Sequence, residues 1–250
     1  MDAEEVCRDV LEAAPQQPQA LYLLAESLRL QGRHMEAELQ YKRCVLASPE
    51  YSEAWAALAS ILFEDLRWEE SRRAANRALR EDIWNGEAAF VRGALRERRG
   101  DYAGADRDFG RAWRSDPQAW PLPHHIKDED LEGIIEEAIH SLHPTLQVFL
   151  SNIAIMLEDL PSDQVLSSYE PPASPTGLVG YFSGYTQMER SPEVPWSNLP
   201  SALVIFRRNV ERVAHTRAEA VEHLRQTFNH EVGELLGVGH EELPEEPEGD

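Results

Sequence analysis

The chain has only two cysteines, Cys7 and Cys44, too few for a disulfide framework or for a zinc site of the C-x-x-C kind. No apolar run reaches the roughly 20 residues that a membrane span needs. The opening residues, "MDAEEVCRDV", lack the basic-then-apolar plan of a signal peptide, so a cytoplasmic protein away from the membrane is expected. Positive charge is also scarce. There are 24 Lys+Arg against 45 Asp+Glu, a formal net charge of −21. Such a surface repels phosphate backbones, which argues against nucleic acid as a partner. At long range it favours basic peptides and divalent cations, and it also serves plain solubility.

The deficit is uneven. Residues 1–117 hold 17 basic against 22 acidic side chains, whereas residues 118–250 hold 7 against 23. With 250 residues there is room for two ordinary domains, and the charge step marks where they meet.

Sliding the first part against itself exposes a period of 34 residues. Ala25, Ala59 and Gly93 form one column. Leu28 and Leu62 form a second, broken by Arg96. Ala37, Ser71 and Ala105 form a third, Tyr41, Ala75 and Phe109 a fourth, and Cys44, Ala78 and Ala112 a fifth. Ala3, Cys7, Val10 and Pro15 fit the second half of a preceding unit. Each unit reads as two helices with a turn at Gly32 or Gly100, small residues allowing close approach and large ones filling the gap between units. One such pair cannot bury its own apolar face, so stacking must supply the core. Cys7 and Cys44 lie on those packing faces and read as small buried hydrophobes.

The pattern, clearest in "GDYAGADRDFGRAWRSDP", resembles the tetratricopeptide repeat. That resemblance implies an all-α helical-hairpin solenoid over 1–117, with a half repeat and three units at 18–51, 52–85 and 86–117. It also implies a concave groove for a protein or peptide partner, lined by Tyr22, Glu26, Arg29, Ala56, Ser60, Phe90 and Ala94. The Lys and Asn residues with which many such arrays clamp a C-terminal carboxylate do not stand at the matching places.

Pro117, Pro121 and Pro123 then break the helical pattern, and 118–127, with the adjacent His124 and His125, reads as a solvated linker. Beyond it, "EDLEGIIEEAIHSLHPTLQVFL" is helical with a break at Pro144. "NIAIMLED" reads as a buried strand, "TGLVGYFSGYTQM" as a second, and "SALVIFRRNVERV" as a third strand followed by a turn. Residues 162–176 and "SPEVPWSNLP" read as loop. Thr216 and Glu219 form a T-x-x-E capping box ahead of a long final helix that Gly237 is placed to end. His223 shares a face with His230 and reads as an exposed imidazole, with a role supporting the site as the alternative; His215, by the helix start, reads as structural or solvated.

That helix carries the chemistry. In "TFNHEVGELLGVGHEEL", His230 and Glu231 open H-E-x-x-H, but the fifth position is Glu234. Gly237 and His240 fall where H-E-x-x-H-x-x-G-x-x-H places its last glycine and ligand. Residues four apart share a helix face, so His230 and Glu234 point together, and a chain reversal at Gly237 would return His240 to them. Two imidazoles and a carboxylate are an accepted zinc set that keeps a fourth position open.

From about Asp128 to Leu243 the landmarks resemble, in order, the small bacterial zincin-like metallopeptidases. They are "DEDLEGIIEEAI", "NIAIMLEDLPS", "GLVGYFSGYTQMER", "LPSALVIFRRNVER" and the H-E stretch. The resemblance implies a small α+β domain at 128–243 ahead of an acidic tail at 244–250. It also implies zinc held by His230 and His240, with Glu231 as catalytic base. The family's second histidine ligand is here Glu234, which lowers the charge of the ligand–metal unit and would make it a weaker Lewis acid. Two functions follow as expectations: a zinc-dependent peptidase to which the repeats bring a substrate or partner, or an inactive zincin-fold adaptor whose repeats do the binding.

Overall fold

The computed structural model describes residues 3–151, 153–183 and 202–236, with side chains except those of 128, 145, 149 and 232–236. It divides into two compact units, 1–122 and 123–250.

The first unit is an all-α helical-hairpin array. A lone helix α1 (Ala3–Ala13) precedes three antiparallel pairs: α2 (Pro18–Leu30) with α3 (His34–Ala47), α4 (Ser52–Glu64) with α5 (Trp68–Glu81), and α6 (Gly86–Glu97) with α7 (Tyr102–Ser115). Local chemistry starts several of these helices. Pro18 occupies the first turn of α2, where its missing N–H costs nothing. The Asn85 side chain accepts from the Ala88 N–H at 2.9 Å, and the Asp101 side chain accepts from the Gly104 N–H at 3.0 Å.

The 34-residue columns are the core. Ala25, Ala59, Ala37, Ala105, Tyr41, Ala75 and Cys44 are buried. Ser71 is buried too and resolves its polarity by donating to the Ala59 carbonyl at 2.8 Å. A Cβ on Gly93 would sit 2.7 Å from Cε1 of Phe109, so the bulk of Phe109 requires the missing side chain opposite it.

The turns repeat as well. Gly32, Leu66 and Gly100 have φ of 74°, 59° and 76°. At each turn the next residue's N–H reaches back to the first helix: Arg33 to Leu28 O at 2.9 Å, Arg67 to Leu62 O at 2.8 Å, Asp101 to Arg96 O at 2.9 Å. Two of the three left-handed positions are glycine; Leu66 occupies the third at a steric cost.

The third pair differs from the others in its apolar columns. The columns Leu24–Leu58 and Leu28–Leu62 continue as Arg92 and Arg96. Both arginines bind the buried Asp108, at 2.5 and 2.8 Å, and Arg111 joins them at 3.3 Å. In this pair a charged network stands where the earlier pairs have leucines, and it ties α6 to α7.

The second unit is a small α+β fold. Its elements are α8 (Asp128–His140), α9 (Pro144–Leu150), β1 (Ala154–Glu158), α10 (Asp163–Leu166), β2 (Gly180–Ser183), β3 (Ala202–Phe206), α11 (Arg207–Val213) and α12 (Arg217–Leu236). The sheet order is β1-β3-β2. β1 runs parallel to β3, with Ala154 opposite Ala202, and β2 runs antiparallel, with Ser183 opposite Ala202. All five β3 residues are buried, as a central strand covered on both faces requires. Leu131, Ile134, Ile135 and Ala138 from α8 meet Ala220, Leu224 and Phe228 from α12 over Leu203 and Ile205. Both helices carry apolar residues at three- and four-residue spacing, the period that makes one face.

Four expectations change. Among the described strands β1 is a sheet edge, not a buried strand, with Met156 49% and Leu157 44% exposed. The segment after β3 is helix α11, not a turn. The loop over 162–176 contains the single-turn α10, capped by the Ser162 hydroxyl, which accepts from the Val165 N–H at 3.3 Å. The end of the 118–127 segment is docked rather than solvated. Ile126 N–H donates to the buried Glu211 carboxylate at 2.9 Å, His124 N–H donates to the Glu211 carbonyl at 2.7 Å, and Arg208 pairs with Glu211 at 3.2 Å. The loop reading of "SPEVPWSNLP" and the 244–250 tail lie outside the described residues. Among those described, no helix is long and apolar enough to cross a membrane.

Candidate functional site in the second unit

Helix α12 begins as its sequence predicts. The Thr216 hydroxyl accepts from the Glu219 N–H at 3.2 Å, and the Glu219 carboxylate reaches back to the His215 N–H at 2.7 Å. The capping carboxylate thus meets the residue before the cap, which gives His215 a structural place at the helix start. From there the periodicity is fixed. Ala220, Leu224 and Phe228 face the core, so Glu231, three residues past Phe228, turns toward the sheet and is only 7% exposed. His230, one step round the helix, is exposed.

Strand β2 meets that face. Val179 accepts from the Phe206 N–H at 2.8 Å. By antiparallel alternation the N–H of Phe182 therefore points away from β3. It donates to Oε2 of Glu231 at 2.6 Å, a short charge-assisted bond. The close approach of strand and helix depends on Gly180. A Cβ there would lie 2.8 Å from the Val204 carbonyl oxygen and 3.4 Å from Cγ2 of Thr227.

Between them lies a cavity of about 330 Å³. His223, Thr227 and His230 line it from one face of α12, with Gln226 and Glu231 beside them; Gly177 to Gly180 and Tyr169 form the opposing wall. His223, expected to be exposed, is a partly buried wall of this cavity. Tyr169 and Phe182 carry no signal in the sequence. Both reach the site only through the β2 connection, and Phe182 contributes a backbone group that any residue would supply.

Of the called ligands, His230 opens onto the cavity. Glu234 lies on α12 one turn further on, its side chain outside the described residues, and His240 and Gly237 lie outside them as well. Among the described residues no three His, Cys, Asp or Glu side chains gather to hold a metal ion.

Residues 150–249 match the zincin-like metallopeptidase family. The chain joins tetratricopeptide-like repeats to a zincin-like domain. A comparison with curated protein sequences finds no match. Among solved structures, MamA is 20% identical over 46% of this chain and 67% of its own, with a TM-score of 0.41. A thermophilic TPR protein of Thermus thermophilus, TTC0263, is 21% identical over 45% and 64%, with a TM-score of 0.40. The zincin-like match covers both walls of the cavity, α12 with its H-E pair and the stretch from Tyr169 to Gly180.

The groove residues of the repeats sit differently from one another. Tyr22, Glu26, Arg29, Ser60 and Phe90 are partly exposed. Ala56 and Ala94 are buried, at 0% and 3%, and do not line a surface. They are small because neighbouring helices close over them, Ala56 against Ala78, Leu79, Ala88, Ala89 and Ala112.

Proposed function

We propose that this protein is a zinc-dependent peptidase of the zincin-like kind, with repeats that recruit the peptide or protein on which the second domain acts. The observation that carries the reading is the joint placement of His230 and Glu231 on the wall of one cavity, against an edge strand, in a segment that matches the metallopeptidase family.

His230, Glu234 and His240 would hold the metal. Two imidazoles and a carboxylate suit zinc. When bound, zinc supplies a Lewis acid and an acidified water. Glu231 is the base of this scheme, and its carboxyl oxygen accepts from the Phe182 N–H, which fixes where it points. The wall from Gly177 to Gly180, free of side-chain bulk at both glycines, leaves room for a substrate backbone. Tyr169 and His223 present hydrogen-bonding side chains to the same space.

The bond between Glu231 and Phe182 also favours a second reading, a non-catalytic zincin fold in which Glu231 ties helix to strand and the repeats alone act. Elemental analysis after incubation with zinc, beside Glu234→Ala and His240→Ala, separates the two. About one zinc per chain, lost in both variants, together with peptide cleavage abolished by Glu231→Gln, supports the peptidase. No zinc in the wild type supports the adaptor.

A further inference from the structure

The inner face of the repeats carries a carboxyl group, on Glu87, that pairs with no cation among the described residues. Tyr22 of α2 stands 5.2 Å from the ring of Tyr51 and 6.0 Å from that of Tyr41. The Tyr41 hydroxyl donates to one oxygen of Glu26, and Arg29 binds the other at 2.7 Å. One helix pair along, Ser60 of α4 donates to Oε1 of Glu87, of α6, at 2.7 Å. That hydroxyl is the partner of Glu87 among the described residues, and no cation pairs with it. Burial pushes the Glu87 carboxyl above its usual range; the Ser60 hydroxyl opposes this, Glu26 adds to it, and Arg29 opposes it from a distance. Burial, with Glu26 and Glu87 next, likewise raises the Tyr22 hydroxyl.

Carboxylates removed from water are ordinarily paired with a cation. Here two carboxyl groups share one guanidinium, so Glu87 lacks a counter-charge of its own among the described residues, beside two tilted aromatic rings on the surface where such an array receives its partner. A lysine or arginine fits this arrangement in both its parts. Its hydrocarbon stem lies along tyrosine rings and its charge is attracted to their faces, while the cationic head replaces the missing counter-charge. The overall excess of acid, −21, draws such a partner in.

We propose that the concave face binds a partner segment through one basic side chain, which enters beside Tyr22 and Tyr51 and pairs with Glu87 and Glu26. This rests on the reading of the repeats as the recruiting part and names the chemistry of what they recruit.

A randomised, terminally blocked nonapeptide library displayed against the full chain tests it. The expected result is a selected set sharing Lys or Arg at one position, with that preference absent when Glu87→Gln is the bait. Replacing the basic residue of a selected peptide by norleucine should weaken its binding about tenfold or more, a readout that needs no protein variant. Selected peptides without a basic residue, or an unchanged preference on folded Glu87→Gln, overturn the inference and leave recruitment by the repeats standing. No selection at all overturns both. Peptide cleavage by the second domain plays no part in this readout.

Discussion

The Phe182 N–H and the Glu231 carboxylate are joined at 2.6 Å across 49 residues of sequence. This bond ties the outer edge of β2 to the helix that bears the H-E pair. The residue proposed as the base thus also positions the strand that forms the opposite wall of its own cavity.

The two roles of Glu231 separate by substitution. Glutamine keeps an oxygen acceptor for Phe182, so Glu231→Gln should cost the fold under about 1 kcal/mol while abolishing proton abstraction. Alanine leaves the N–H without its partner and should cost about 1–3 kcal/mol. Chemical denaturation of the three proteins, read by circular dichroism, checks this. Equal stability of the alanine and glutamine variants would refute the positioning role.

Gly180→Ala should separate β2 from α12. The new methyl group meets the Val204 carbonyl oxygen at 2.8 Å, and backbone on that side cannot turn away. A loss of about 1–3 kcal/mol is expected, with faster amide hydrogen exchange at Tyr181 and Phe182. Unchanged exchange in β2 would mean the sheet absorbs the methyl without moving.

Leu66→Gly should stabilise the array. The left-handed conformation at Leu66 costs a branched side chain about 1–2 kcal/mol, and the extra freedom of glycine in the unfolded chain takes back about 0.5–1 kcal/mol. The net gain is up to about 1.5 kcal/mol, visible as a higher melting temperature of the repeat unit. A lower melting temperature would show that Leu66 contributes packing which outweighs its backbone strain.

The docking of α1 depends on pH. Glu4 bonds Arg8 at 2.6 Å within the helix and Arg33 at 2.9 Å across to the next pair. Hydrogen bonds from Arg8 and then from Gln31 and Arg33 hold its carboxyl down at about 2. A depressed carboxyl stabilises the folded form above its unfolded value, near 4.3, and that contribution is lost as pH falls toward 2. Amide protection in α1 should therefore fall between those values in low salt, and Glu4→Gln should remove the dependence. Protection that stays level in the wild type would show that Cys7 and its apolar neighbours carry the docking alone.

The repeats were legible because their information is local and recurs. A 34-residue spacing of alanine, tyrosine and phenylalanine fixes helix length, turn position and packing face together, and the buried columns coincide with those positions. Arg96 already stood out in the sequence, because it breaks the Leu28–Leu62 column. Its partner did not: that Asp108 gathers Arg92, Arg96 and Arg111 depends on how α6 and α7 cross. The alanines read as groove-lining, Ala56 and Ala94, failed for the same reason, since helical periodicity gives a face but not what covers it. In the second unit the sequence by itself placed the α12 cap, the H-E pair on that helix, and the family that residues 150–249 match. Tertiary structure decided the rest. Whether a strand is central or at an edge follows from pairing order, which is why β1 with its apolar "AIML" stands exposed while β3 is covered on both faces. Glu231 meets a backbone N–H whose side chain is irrelevant to the contact, and Tyr169 and His223 become walls of one cavity only when β2 lies against α12. Such contacts join residues far apart in the chain through backbone geometry, and no pattern of side chains announces them.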